Sequence, residues 1–151
     1  MNEYTLGYGG PSNVRPEVAS MVQGQTQPTT GKNHVSLINT LYKAKEDMHL
    51  SHNVQKSKDH SVHTALGDIY TAFDDMIDSF VESIFGIYGP GEIAFSACAC
   101  AEPVAYLKAL YDTIEKERKF YKESWIQNDI DMFQKEIALT LYKLQYVKSN
   151  P

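Results

Sequence analysis

The sequence predicts an all-α protein, with a four-helix bundle at residues 34–151 preceded by an extended or flexible arm at residues 1–33. Apolar residues recur every three or four positions in four separate stretches, which is the spacing of amphipathic helices. The chain has no useful run of alternating apolar and polar residues, so no strand is expected. Its 151 residues are enough to bury one core.

The first two predicted helices are separated by a short polar connection. Asn33 can cap a helix, and residues at helical spacing then continue to His52. The polar stretch at residues 51–61 interrupts this pattern, and Ser61 can cap a second helix. The apolar stripe of that helix runs to Ile84, where the sequence IYGPGE follows and ends it, because glycine and proline stop helices.

The third and fourth predicted helices follow a longer connection. Residues 87–102 are rich in small side chains and have no strong helical period. Pro103 suits the first position of a third helix, because an N–H group is not needed there. One side of this helix continues to Trp125, and the capping residues 128–131 are expected to separate it from a fourth helix.

The lengths of the connections predict how the helices are joined. Short first and third links favour antiparallel pairs. The middle link, of about 16 residues, reaches ~50 Å when extended, which is enough to run the length of the bundle. A bundle with one long crossover between helices 2 and 3 is the ferritin-like arrangement, whereas an up-and-down bundle needs a short middle link.

Charge and hydropathy exclude several classes of partner. The formal net charge of −5 argues against broad affinity for nucleic acid or anionic lipid, so DNA binding is not expected. No run of about 18 apolar residues is present, so no membrane span is expected. The N-terminus has neither a basic start nor an apolar run, which argues against a secretory signal and favours a cytoplasmic protein.

Residues 1–33 are expected to be an arm, either free in isolation or ordered against a partner, rather than part of a core. They are rich in Gly, Pro, Gln, Ser and Thr, and such a composition buries too little apolar area to offset the entropy of ordering. The apolar side chains predicted to contact a neighbouring subunit or another protein are Tyr4, Leu6, Tyr8, Val14, Val18 and Met21.

Tyrosine is abundant in the later helices, at positions 106, 111, 121, 142 and 146. Packing along helical stripes is one explanation. Burial in an interface between chains is the other, because tyrosine is favoured at such interfaces.

Histidines and carboxylates in the first two helices form a candidate metal site. His49 and His52 are three residues apart and therefore share a helix face. On the second helix the side chains of His63, Asp74, Asp78 and Glu82 project within a sector of about 100°. Such groups suit iron, manganese or zinc. The alternative is that the carboxylates are solvated and the histidines stabilise a helix end.

Several short motifs in residues 37–86 resemble the Dps family of mini-ferritins. The run His49-Leu-Ser-His52-Asn-Val is similar to the H-x-x-H-W-x-V run of that family, and His63 to its second histidine. The segments Asp68-Ile-Tyr70-x-x-Phe73 and Asp78-x-x-x-Glu82 are similar to its D-L-Y-x-x-F and D-x-x-x-E motifs. The last helix, after residues 128–131, is similar in a looser way.

The resemblance implies a homo-oligomer that binds and oxidises iron. Dps proteins form hollow dodecamers and oxidise ferrous iron at sites shared by two subunits across a two-fold axis. By position, His52, Asp78 and Glu82 would come from one subunit and His63 from its neighbour, with His49 and Asp74 as weaker candidates. DNA-binding members use a lysine cluster that the arm lacks.

Two departures from the Dps pattern favour a different function. Gly67 stands where the family has a ligand aspartate, and Asn53 stands where it has a tryptophan. The alternative is therefore a non-catalytic structural or assembly protein, for example of a virus particle, that uses a ferritin-like bundle and an interacting arm. Such a protein would be virion-associated.

Overall fold

The computed structural model describes residues 34–54 and 60–147, and this part of the chain is an all-α bundle without strands. Its four helices are α1 (Ser36–Val54), α2 (His60–Tyr88), α3 (Pro103–Glu117) and α4 (Ser124–Tyr146), with a 3-10 turn (Arg118–Phe120) after α3. The predicted fold class is confirmed to that extent. The arm at residues 1–33 and the capping residue Asn33 lie outside the described residues. None of the described helices is long and apolar enough to span a membrane.

The helices bury one apolar core, to which α2 contributes the longest stripe. Its fully buried side chains include Leu66, Ile69, Phe73 and Phe80. The Phe133 ring of α4 lies edge-on to both Phe73 and Phe80, with centroids 5.1 and 5.5 Å away. Burial of each such ring contributes about 1.5–3 kcal/mol, so this layer holds α2 and α4 together.

Contacts at the helix ends define the helix directions around α1. His34 Nε2 donates to the backbone oxygen of Gly89 at 2.9 Å, which places the start of α1 beside the end of α2. The Ser36 hydroxyl donates to Glu117 Oε1 at 3.0 Å, which places the start of α1 beside the end of α3. Both α2 and α3 therefore run in the opposite direction to α1.

The fourth helix is antiparallel to α2. The Tyr88 hydroxyl donates to Glu123 Oε2 at 2.8 Å, where α2 ends and α4 begins. At the other end, Lys143 Nζ donates to Asp68 Oδ2 at 2.8 Å. Since α2 and α3 point the same way, their connection has to travel back along the bundle.

That connection, residues 89–102, contains neither helix nor strand and runs beside α1. The backbone N–H of Ala94 donates to Asn39 Oδ1 at 3.0 Å, and that of Cys98 to Asp47 Oδ1 at 2.7 Å. Gly89 begins it with a φ of +86°, a left-handed angle that favours glycine, which explains why α2 ends there as predicted.

The predicted break at residues 128–131 is wrong. The start of α4 is Ser124, so Trp125 belongs to α4 rather than to α3, and the break lies at residues 118–123 instead. The buried residues Ile126 and Ile130 continue the same core stripe as Phe133. The polar residues of this segment lie mostly towards solvent, and a helix tolerates them there. The predicted start of α3 at Pro103 is confirmed.

Candidate functional site

Two imidazole rings meet where the end of α1 lies beside the start of α2. The rings of His52 and His63 stack with centroids 3.8 Å apart and planes 24° apart. Nδ1 of His52 donates to the backbone oxygen of His63 at 2.8 Å, and Nδ1 of His63 donates to that of His52 at 3.1 Å. A carbonyl oxygen only accepts, so both Nδ1 atoms carry a proton. In the neutral rings the free lone pair is therefore on Nε2.

Gly67 makes room for this ring stack. A Cβ atom at position 67 would lie 3.0 Å from Cε1 and 3.1 Å from Nδ1 of His52. Those distances are shorter than ordinary van der Waals contact, so any side chain at this position would push the His52 ring. The glycine in place of the aspartate of the Dps pattern thus has a packing reason, which the sequence alone did not indicate.

Further rings extend the pair into a histidine cluster of His49, His52, His60, His63 and Tyr70. The His49 ring stacks on Tyr70 with centroids 4.4 Å apart, and Tyr70 presents an edge to His52 at 5.5 Å. The His60 ring lies 6.1 Å from that of His63. Tyr70 therefore supplies the aromatic contact of the cluster, and the sequence had not indicated that role. Asn53, at the tryptophan position of the Dps pattern, is exposed.

The predicted carboxylate ligands do not join the histidine cluster within one chain. Asp78 and Glu82 are exposed on α2, and a rise of 1.5 Å per residue places them about 22 and 28 Å beyond His63. Asp74 Oδ1 pairs with Lys45 Nζ at 2.9 Å. No group of three or more His, Cys, Asp or Glu residues in the described ranges could hold a metal ion.

The structure therefore groups the candidate ligands differently from the expected division between subunits. His52 and His63 of one chain lie together, whereas the resemblance assigned them to different subunits. Stacking also limits what the pair can bind. An ion held by Nε2 at about 2.1 Å lies in the plane of that ring, and two stacked planes do not meet at such a distance. Each ring would consequently bind its own ion, or only one ring would bind.

The sequence was compared with models of known protein families. A model of a family of unknown function, DUF5856, matches residues 49–144, which is more than half of the chain. The chain belongs to the DUF5856 family. The matched region begins at His49 and includes the rest of the histidine cluster, the crossover and α3. No curated protein and no solved structure matched the chain.

A second polar site in this DUF5856 protein attaches the crossover to α1. Asp47 is fully buried, and its carboxylate accepts hydrogen bonds from Lys43 Nζ at 2.5 Å, from the Cys98 N–H at 2.7 Å and from the Tyr106 hydroxyl at 2.8 Å. Burial, and then the nearby Asp47 carboxylate, raise the pKa of Tyr106 far above its ordinary value. We call Asp47 and these donors the Asp47 clamp.

Beside the clamp, Ser51 attaches the next part of the crossover. The Cys100 N–H donates to the Ser51 hydroxyl at 2.7 Å, and the Cys100 Sγ lies 2.9 Å from the same oxygen. Burial raises the pKa of the Cys100 thiol, which keeps it in the unreactive protonated form. Sequence reasoning had singled out neither Asp47 nor Ser51. The only available signal was an acidic residue among the apolar positions of α1.

Proposed function

We propose that this DUF5856 protein is a Dps-like mini-ferritin, a ferritin-like bundle that assembles with copies of itself and binds ferrous iron as its substrate. The observation that carries the proposal is the pair of hydrogen bonds between each Nδ1 of His52 and His63 and the backbone oxygen of the other. They hold the rings in the tautomer whose Nε2 can bind a metal.

That arrangement is typical of metal-binding histidines. A ligating imidazole usually donates its other N–H to a carbonyl or carboxylate, which fixes the orientation of the ring. Neutral imidazole suits ferrous iron, and carboxylates suit ferric iron. The protein therefore has nitrogen ligands at one end of α2, while the exposed Asp78 and Glu82 offer oxygen ligands farther along it.

A second copy of the chain could complete the site. Pairing α2 with the α2 of a second copy about a two-fold axis beside Thr71, an exposed residue, would bring each His63 to the level of the second copy's Asp78 and Glu82. Each complete site would then take Nε2 of His63 from one copy and two carboxylates from the other, with the stacked His52 ring supporting His63. The helix directions and the long crossover support the ferritin-like part of the proposal.

Subunit mixing tests the shared site. Iron binding is measured on purified protein under anaerobic conditions, and oxidation is followed after oxygen is admitted. His63→Ala and Glu82→Gln should each abolish high-affinity binding. A mixed dimer of the two variants keeps one intact site, so random mixing should restore about a quarter of the wild-type sites.

The matched control is Asp75→Asn, which changes an exposed carboxylate of α2 outside the predicted ligand set. It should bind iron like the wild type. If the wild type binds no more iron than the double variant His63→Ala, Glu82→Gln, the iron proposal is wrong. If mixing restores nothing, the site is not shared between chains in this way.

A structural or assembly function is the second candidate. One observation in its favour is that Gly67 packs tightly against His52, which indicates that the ring has a structural role. The other is that the described residues contain no cluster of three metal ligands. Under this function the arm binds the partner, as in a virion-associated protein. Deleting residues 1–33 should then abolish assembly, while iron has no effect on it. Assembly that survives the deletion would contradict this candidate.

A further inference from the structure

The fourth helix has a second apolar face that its own bundle does not bury. Ile126, Ile130, Phe133 and Ile137 fill the core. On the other side, large apolar side chains remain between 39% and 71% exposed. These residues, which we call the α4 stripe, are Trp125, Met132, Leu139, Tyr142, Tyr146 and Val147.

The spacing of the α4 stripe is that of a helix that packs against another helix. Trp125, Met132, Leu139 and Tyr146 follow one another at intervals of seven residues. A seven-residue repeat keeps one line of side chains facing a partner helix along several turns. The Tyr142 and Tyr146 rings contact each other, with centroids 5.7 Å apart, so the end of the stripe is a continuous aromatic surface.

The charged side chains beside the stripe favour a second copy of α4 as its partner, in the antiparallel orientation. If two copies of α4 lay parallel, Asp131 would flank Glu136 of the other copy, and like charges would repel. In the antiparallel orientation centred on Leu139, Glu136 instead faces Lys143 of the second copy. Lys135 then lies beside Tyr142 of the second copy, where a cation can interact with the aromatic ring.

We infer that the α4 stripe from Met132 to Val147 is an interface between two copies of this chain, with their α4 helices antiparallel and a two-fold axis beside Leu139. In this register Met132 packs on Tyr146 of the second copy. Met132 also lies opposite a groove of about 570 Å³ between α4 and the start of α2, lined in part by Leu139, Tyr142 and Val147. Methionine adapts its shape to fill such irregular spaces.

The size of this surface predicts a dimer of modest affinity. An aromatic side chain has a surface of about 150–250 Å². At their exposed fractions, the side chains of the stripe from Met132 to Val147 together expose roughly 500 Å² per chain. Two copies would bury about 1,000 Å², which is near the lower limit for a specific interface. We therefore expect micromolar self-association. His60 of the histidine cluster also lines the groove, but the interface uses neither His52 nor His63 and does not depend on the iron proposal.

The test measures the mass of the metal-free full-length chain by sedimentation at about 1–100 µM. Leu139→Glu places two carboxylates against each other at the axis, and it should raise the dissociation constant at least about tenfold. The matched control is Trp125→Glu, which changes a residue of the same stripe outside the paired segment. It should leave the constant unchanged, and thermal unfolding should confirm that both variants fold.

A charge exchange tests the register. Glu136→Lys should weaken association, and the triple variant Glu136→Lys, Lys143→Glu, Asp68→Lys should restore it. Opposite charges then face each other again, both between the copies and at the pair of residues 68 and 143 within each chain. A wild-type chain that stays monomeric overturns the proposal. An association constant that Leu139→Glu leaves unchanged also overturns it. If self-association is lost only when residues 1–33 are removed, the arm is the binding element and the proposal is wrong.

Discussion

The Asp47 clamp and the histidine cluster both include residues of α1, but they differ in how many of their polar atoms already have hydrogen-bond partners. The buried Asp47 carboxylate accepts three hydrogen bonds, including one from an ammonium group. His52 and His63 each commit Nδ1 to a carbonyl, which leaves the lone pair of the neutral ring on Nε2. A ligand could bind Nε2 of His52 or His63 without displacing a hydrogen-bond partner in the described part of the chain, whereas at Asp47 it would have to break the clamp.

The first prediction concerns the clamp and has the largest effect. Asp47→Ala should lower the free energy of unfolding by about 3 kcal/mol, because the buried Tyr106 hydroxyl and the Cys98 N–H lose their acceptor. Urea unfolding measures the change. Asp75→Asn, at an exposed position, should shift it by less than about 0.5 kcal/mol. A loss below about 1 kcal/mol for Asp47→Ala would mean that the clamp does not hold the crossover.

The second prediction concerns the histidine cluster. Gly67→Ala should push the His52 ring and weaken iron binding at least about tenfold, the usual effect of disturbing the support of a metal ligand. Stability should fall little, because alanine favours the helix by about 1 kcal/mol over glycine. Calorimetry measures the affinity and urea unfolding the stability. Gly86→Ala, where a Cβ meets nothing within 4 Å, is the control and should leave iron binding intact. Equal effects of both substitutions would contradict the packing role of Gly67.

The third prediction separates the two cysteines of the crossover. Cys98 is exposed, whereas burial raises the pKa of Cys100 beside Ser51. Iodoacetamide at neutral pH should therefore alkylate Cys98 at least about tenfold faster than Cys100. Peptide mass spectrometry over time measures both rates, and unfolding in urea should remove the difference. Equal rates in the folded protein would show that this part of the crossover is not held against α1.

The fourth prediction concerns the opposite end of the bundle and has the smallest effect at neutral pH. Burial, and then the hydrogen bond to Glu123, raise the pKa of Tyr88 to about 12 from 10.0. The fold favours the neutral phenol, so this stability is complete below pH 10 and is lost as the pH rises towards about 12. Tyr88→Phe should cost about 1 kcal/mol at pH 8, and the difference from the wild type should shrink above pH 10. A difference that stays constant up to pH 12 would contradict the assignment.

Local signals were sufficient for much of the fold. Helical periodicity revealed four helices, Pro103 marked the start of α3, and the segment after Ile84 marked the end of α2. These features depend on residues near one another in the chain. The break predicted at residues 128–131 failed because polar residues on the outer face of a helix resemble a cap in the sequence.

The sequence by itself determined the all-α class and the long connection between α2 and α3, and it predicted a set of candidate metal ligands. Only the tertiary structure decided that His52 stacks on His63, that Gly67 makes room for the ring and that Asp47 holds the crossover. It also decided that Asp78 and Glu82 lie far from the histidines of their own chain. The reason is physical: periodicity and capping are local, whereas each of these contacts joins segments whose proximity depends on how the helices pack.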